Sequence, residues 1–315
     1  MKRPDGITRR SVLVGFSTLA VACAGQGASA LVAPTAARKV SVLLTNHGSR
    51  SDMWRAGLLD LEERVRARIV EGGQVDDVRT AFMEFTEPSI ATRLKEIDAL
   101  GCTDIVVVPV FLTVSPHSFD DIPTIIGAKD DPKSLQVLKS EGIERYKPKA
   151  RTHQTPTLDF TDVVKENVLR RAKALSTHAP DEGLVLIAYG DHTYDAEWGK
   201  LLDDVGTYVL EQTGMVAHAH GYCGHIAEYS PEPTAAAIRK VLEVAKRAVV
   251  VPVLVARDEM FQVQIIGDGI KLIPDSATRV AYVADAILPD PRIEDWVVKV
   301  AREMAAQARA EAVAG

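Results

Sequence analysis

Apolar and polar residues alternate in blocks along this chain. Val40 to Thr45 is a short, nearly all-apolar run that breaks at Asn46-His47-Gly48-Ser49. From Asp52 to about Val70 apolar residues recur at helical spacing, and Gly72-Gly73 ends that pattern. Val78 to Phe82 is the next strand-like stretch, closing on Met83-Glu84-Phe85. Glu87-Pro88-Ser89 opens a second helical pattern, with Pro88 at a tolerated early position, and the pattern runs to Leu100 before Gly101. Ile105 to Leu112 is almost continuously apolar and rich in Val, as a parallel strand buried on both faces reads. Its polar sequel is Thr113-Val114-Ser115-Pro116-His117-Ser118, and Asp120-Asp121-Ile122-Pro123 begins a short helix. A polar insert, roughly Lys129 to Lys149, leads to a fourth strand near Ala150 to Gln154. Strands alternating with helices predict an α/β unit with a doubly wound parallel sheet.

The pattern then repeats. Leu184 to Gly190 aligns with Val42 to Gly48, Glu232-Pro233-Thr234 with Glu87-Pro88-Ser89, and Val249 to Leu254 with Val106 to Phe111. Leu288 to Val297 resembles Leu158 to Val164. Two similar doubly wound parallel-sheet halves, residues 39–160 and 180–301, are therefore expected, related by a pseudo-two-fold axis with a cleft between them.

In parallel units joined by right-handed crossovers, the carboxyl ends of the strands share one edge, and ligands bind there. His47, Glu84 and His117 each follow such an end. Strands one and three are expected to be neighbours, which would face His47 toward His117 with Glu84 to the side. Two imidazoles and a carboxylate on one cleft suit a divalent transition metal, proton transfer, or both. The second copy lacks the trio: Tyr189 aligns with His47, Tyr229 with Glu84 and Met260 with His117. One active centre, held by the first half and walled by the second, is the expectation. A separate cluster, His218, His220, Cys223 and His225, has zinc-like spacing but reads better as an exposed loop of solvated histidines. His192 could line the cleft.

Composition narrows the class. At 315 residues, 46% hydrophobic and 25% charged, the chain has ample material for a core, and a net charge of −6 argues against wholesale nucleic-acid binding. Residues 1–30 carry Lys2, Arg3, Arg9 and Arg10, an apolar run Val12 to Ala24, and Ala28-Ser29-Ala30. That is an export signal pattern with an apolar segment too short for a membrane span, and Thr8 to Leu13 resembles a twin-arginine signal. A periplasmic protein follows from it. Cys102 and Cys223, the cysteines outside the signal, allow one disulfide but no framework.

H-G-S-R after the first strand, F-M-E-F-T-E-P-S-I after the second, and V-V-V-P-V-F-L followed by a His and D-D-I-P resemble the sirohydrochlorin chelatases, the class II tetrapyrrole chelatases in their two-domain form. The resemblance covers about Val40 to Ile126, with a weaker second copy to about Ala301. It implies insertion of a divalent metal, cobalt or iron with nickel an alternative, into a sirohydrochlorin-like tetrapyrrole, without ATP or an organic cofactor. It maps the catalytic histidines and metal contacts to His47 and His117 and the acidic residue to Glu84. Arg50, beside His47, and Ser115 are the candidate contacts to the tetrapyrrole. The loop T-V-S-P before His117 departs from the small residues and glycines usual there. A second reading is an exported metal or tetrapyrrole carrier without turnover.

Overall fold

Strand β1, Val40–Asn46, is buried at every position. A computed structural model describes residues 38–112, 115–158 and 162–311, so the export-signal expectation for residues 1–30 lies outside the described residues. Ser51 accepts a hydrogen bond from the Trp54 backbone N–H and caps helix α1, Asp52–Val70. Strand β2 is Asp77–Phe82, helix α2 Ile90–Ala99 and strand β3 Asp104–Pro109. Ser89 is the cap of α2, so Pro88 stands outside the helix rather than in its first turn. β3 stops at Pro109, earlier than the apolar run that continues to Leu112.

After β3 comes a π-helical turn, His117–Asp121, and a short helix α3, Ile122–Ile125. The polar insert is not a plain loop: it contains helix α4, Pro132–Glu141, capped by the Asp131 carboxylate on the Lys133 and Ser134 N–H groups. Strand β4 is Arg151–Gln154 and helix α5 Asp162–Leu175. The second half repeats the order with β5 Glu182–Ala188, α6 Asp195–Thr213, β6 His218–Tyr222, α7 Glu232–Leu242 and β7 Arg247–Val253. A second π-helical turn, Glu259–Ile266, precedes α8 Gly267–Lys271, α9 Ser276–Arg279, β8 Val280–Tyr282 and α10 Pro291–Ala310.

Each half forms a four-stranded parallel sheet, ordered β2-β1-β3-β4 and β6-β5-β7-β8. The α/β class with two similar parallel-sheet halves, expected from the repeat, is what the chain adopts. The registers agree too: Thr45 lies opposite Pro109 and Ile187 opposite Pro252.

Strand alternation divides the core. Val42 and Leu44 join Leu184, Leu186, Val249 and Val251 in one apolar cluster that runs through α1, α5, α6 and α10 and unites the halves. Leu43 points the other way, to a cluster under α2 and α3, and Val185 and Ile187 to its counterpart under α7. The helices are exchanged between the repeats. α5 packs on α6 and β7 of the second half, while α10 returns to α1 and β3 of the first. Burying one face of each in a shared core fixes the two strand edges relative to each other. Among the described residues no helix is long and apolar enough to cross a membrane.

Candidate metal centre in the cleft

His47 stands at the first residue past β1 because the β1–β2 ladder continues one step: the Glu84 N–H donates to the His47 carbonyl at 3.0 Å. Gly48 makes room for this approach. Its φ is +106°, and a Cβ there would lie 2.0 Å from the Glu84 carbonyl oxygen. His117 enters from the π-helical turn after β3, and its ring centroid is 4.8 Å from that of His47 at an interplanar angle of 78°. Their side chains are 31% and 30% exposed, so both rings reach the cleft from partly covered seats.

The hydrogen bonds set which nitrogens are free. The π-turn spacing brings Asp121 to His117, whose Nδ1–H donates to Asp121 Oδ2 at 2.8 Å and leaves Nε2 with its lone pair. In His47, Nδ1–H donates to the Gly48 carbonyl at 3.0 Å, and Nε2 lies 2.9 Å from Glu84 Oε1. Two acceptors cannot share that contact without a proton between them. Either an imidazolium meets a carboxylate or a neutral ring meets a carboxylic acid.

The electrostatics favour the first arrangement. Burial opposes the charged form of His47, but the hydrogen bond and negative charge of Glu84, with the Gly48 carbonyl, raise its pKa above the ordinary 6.5. Burial likewise opposes ionisation of Glu84, yet hydrogen bonds from His47 and Glu141 hold its carboxyl below the usual range. Asp121 is lowered in the same way: burial is outweighed by its bonds to His117 and Ser134. Glu141, at the end of α4, is the exception. Its hydrogen bond to Glu84, then partial burial, raise it to about 7. The carboxyl pair therefore shares a proton below about pH 7, donated by Glu141 to Glu84.

Glu141 and Asp121 were not among the residues singled out from the sequence. Asp121 carried a signal, the four-residue spacing from His117. For Glu141 the signal was a helix signature in the insert, Asp131-Pro132 at its start and Gly142 after its end.

The cleft is a cavity of about 950 Å³ lined by both halves. Its first-half wall includes His47, Glu84, His117, Phe85 and Phe111, and its second-half wall includes Tyr189, Met260, Phe261, Tyr229 and His225. Tyr189 and Met260, aligned with the two histidines by repeat, do face the same cleft. Tyr189 stacks edge-on against Phe261 with centroids 5.4 Å apart, and burial together with a hydrogen bond to Tyr229 raises its phenol well above the usual value. The lining has five carboxyl groups, Glu84, Glu141, Asp191, Asp258 and Glu259, two of them sharing a proton, against Arg50 and the His47 imidazolium, so it is acidic on balance. A site so charged draws cations.

Arg50 lines the cleft with its guanidinium 5.3 Å from the Phe85 ring centroid. Ser115 also lines it, but is only 9% exposed and its hydroxyl accepts a hydrogen bond from the Ser118 N–H. Ser49 Oγ donates across the cleft to Asp258 Oδ2 at 3.2 Å.

The repeat alignment is corrected at one point. The Cys223 and Gly224 N–H groups donate to the Ala188 and Tyr189 carbonyls as those of Met83 and Glu84 do to Asn46 and His47. The counterpart of Glu84 is therefore Gly224, not Tyr229; a short helical turn, His225–Ala227, lengthens the link before α7 and shifts the sequence match.

The histidine cluster is not a solvated loop either. His218 and His220 lie on β6 with partly buried side chains, Cys223 is fully buried with its thiol pushed up to about 12 by burial, and only His225 lines the cleft. His153 is bound to the buried Asp104 at 3.0 Å, away from the cleft lining. Among the described residues no group of three or more His, Cys, Asp and Glu side chains is placed to hold a metal ion.

Two parallel-sheet lobes with an open histidine pair on one shared edge define a chelatase-like protein. The sequence and structural comparisons agree. A family model described as CbiX matches residues 41–175. The sirohydrochlorin cobaltochelatase of Methanococcus maripaludis is 33% identical over 87 residues, 28% of this chain but only 58% of that protein. Its counterpart in Saccharolobus islandicus is 33% identical over 104 residues, 32% of this chain and 75% of that one. The crystal structure of the sirohydrochlorin chelatase SirB from Bacillus subtilis subspecies spizizenii in complex with cobalt superposes with a TM-score of 0.62 at 18% identity, covering 86% of this chain and 97% of that one. SirB from Bacillus subtilis with Fe3+ superposes with the same TM-score of 0.62 at 18% identity, covering 86% of this chain and 98% of that one. The chain belongs to the CbiX family of sirohydrochlorin cobaltochelatases.

Proposed function

We propose that the protein inserts a divalent metal, cobalt or iron, into a sirohydrochlorin-like tetrapyrrole, without ATP, in the cleft between its halves. The observation that carries this is the His47–His117 pair, 4.8 Å apart and open on the cleft side. Metallation brings in one M2+ and removes two pyrrole N–H protons. His117 offers Nε2 to the metal, while Asp121 fixes its ring. His47 offers Nε2 only after its proton leaves toward Glu84, and Glu141 can take that proton on once its own has passed to solvent. Two imidazoles hold a metal loosely enough to release it, which a closed four-ligand shell does not. The cavity wall, apolar and aromatic, suits the face of a planar macrocycle.

A carrier would need a retaining ligand set, and the open pair with its proton path favours turnover instead. Residues 1–30, from their charge and hydropathy pattern, direct the protein to the periplasm by the twin-arginine route. The test of function is direct: the absorption of metal-free sirohydrochlorin is followed after adding the mature protein with Co2+ or Fe2+. Acceleration over the protein-free reaction supports the proposal, and its absence with every metal tried refutes it.

A further inference from the structure

Two aromatic residues of the cleft stand in backbone conformations that their types rarely adopt. Among the described residues four non-glycine residues have positive φ: Phe85, Glu228, Tyr229 and Asp275, at +65°, +51°, +56° and +57°. In that region Cβ crowds the following carbonyl oxygen, so glycine is favoured, with asparagine and aspartate next. Asp275 fits the preference. Phe85 and Tyr229 do not, and both line the cleft, one from each half.

The two turns differ in kind. In the first half the Thr86 N–H donates to the Glu84 carbonyl at 2.9 Å, closing a three-residue γ-turn on Phe85 in its rare positive-φ form. In the second half the Ser230 N–H donates to the Ala227 carbonyl at 2.9 Å. Glu228 and Tyr229 are then the central residues of a type I′ turn, positions where glycine, asparagine and aspartate dominate. Two different turns thus bring an aromatic side chain to one cavity.

The fold gains little from either ring. Phe85 is 54% exposed and Tyr229 46%, and among the described residues the one other exposed Phe, Tyr or Trp is Phe119. Backbone strain that packing does not offset is a mark of a ligand contact. The surroundings agree. The Phe85 ring centroid is 6.0 Å from that of His47, and the Arg50 guanidinium is 5.3 Å from it. Tyr229 lies 6.4 Å from Phe261 and hydrogen-bonds to Tyr189, in the second-half wall.

We propose that Phe85 and Tyr229 bind the tetrapyrrole by stacking on its π-faces, Phe85 from the first half and Tyr229 from the second, and so bring the ring centre to the His47–His117 pair. This assignment rests on the proposed function. Stacking suits an acidic cleft, because it grips a planar ring without a set of cationic side chains. Arg50, beside Phe85, is left to meet a charged substituent at the ring edge.

The test titrates metal-free sirohydrochlorin into the full chain without metal and reads binding from quenching of Trp54 and Trp198, which line the cleft. Phe85→Gly and Tyr229→Ala should each bind the ring about 10-fold more weakly. Phe85→Tyr and Tyr229→Phe keep the aromatic rings and should bind as the wild type does. Glu228→Gly relaxes the neighbouring backbone at a residue outside the cleft lining, and should also bind unchanged. Melting supplies a readout that a structural role would not: Phe85→Gly should melt at or above the wild type, because glycine accepts the positive φ. Undiminished binding by Phe85→Gly or by Tyr229→Ala, or melting of Phe85→Gly several degrees below the wild type, overturns the proposal. If the chelatase reading alone fails, this order of affinities stands while the wild type given Co2+ or Fe2+ leaves the ring unmetallated. A wild type that does not bind the ring overturns both.

Discussion

Replacing Gly48 with Ala tests how the histidine and the carboxylate are held together. The added Cβ would stand 2.0 Å from the Glu84 carbonyl oxygen, a backbone atom that cannot rotate away. An L-residue at positive φ costs roughly 1–2 kcal/mol, and separating the Glu84 N–H from the His47 carbonyl costs roughly a further 0.5–1.5 kcal/mol. With some strain in the displaced loop, a loss of about 2–4 kcal/mol follows, or about 3–7 °C in the unfolding midpoint for a unit of this size. Gly73→Ala is the control: its φ is +70° and nothing lies within 4 Å of the added Cβ, so only the backbone cost of roughly 1–2 kcal/mol applies. Calorimetric melting of the three proteins gives the ranking, and Co2+ affinity gives the functional consequence. Gly48→Ala should be the least stable and should bind Co2+ at the His47–His117 pair more weakly, because the shift moves His47 out of its seat beside His117. Equal melting of Gly48→Ala and Gly73→Ala, with unchanged metal binding, would refute the argument that the close approach builds the site.

Other consequences concern protons, the unrecognised carboxyl and export. His47 is raised above 6.5 in the folded protein, so its contribution to stability is complete below pH 6.5 and is lost as pH rises through the folded value. Metal affinity should run the opposite way, since Co2+ must displace the Nε2 proton; binding that does not strengthen with pH above 6.5, or that releases no proton by calorimetry in two buffers, contradicts this. Glu141→Gln should slow metallation by up to about 10²-fold at neutral pH and remove an inflection near 7 from its pH profile, while an unaltered profile excludes Glu141 from the proton path. Arg9→Lys with Arg10→Lys should keep a reporter fused to residues 1–33 out of the periplasm; export at the wild-type level would rule out the twin-arginine route.

Much of this architecture was legible because its causes are local. β1 and β3 are buried on both faces, and such strands cannot avoid continuous apolar runs. The histidines stood out since strand-end positions in parallel sheets share an edge, and Glu84 because the same rule covers β2. What stayed hidden depends on contacts between distant segments. Glu141 reaches Glu84 only because α4 folds back from an insert whose charged surface resembles a loop. The exchange of α5 and α10 between the halves is a packing choice in a shared core, and nothing in their amphipathic spacing says which sheet each covers. The Tyr229 mismatch arose since sequence similarity follows the Glu-Pro pair into α7, whereas backbone register follows the ladder to Gly224.

The central claim is that His47 and His117 deliver metal to a tetrapyrrole. Its most direct measurement is the initial rate of Co2+ insertion into metal-free sirohydrochlorin, followed by absorption, for the wild type and for His47→Ala with His117→Ala at equal concentration of folded protein. The account predicts a fall of at least roughly 10²–10⁴-fold, the range for loss of a proton-transferring group alone. A double variant that metallates the ring as fast as the wild type would contradict it.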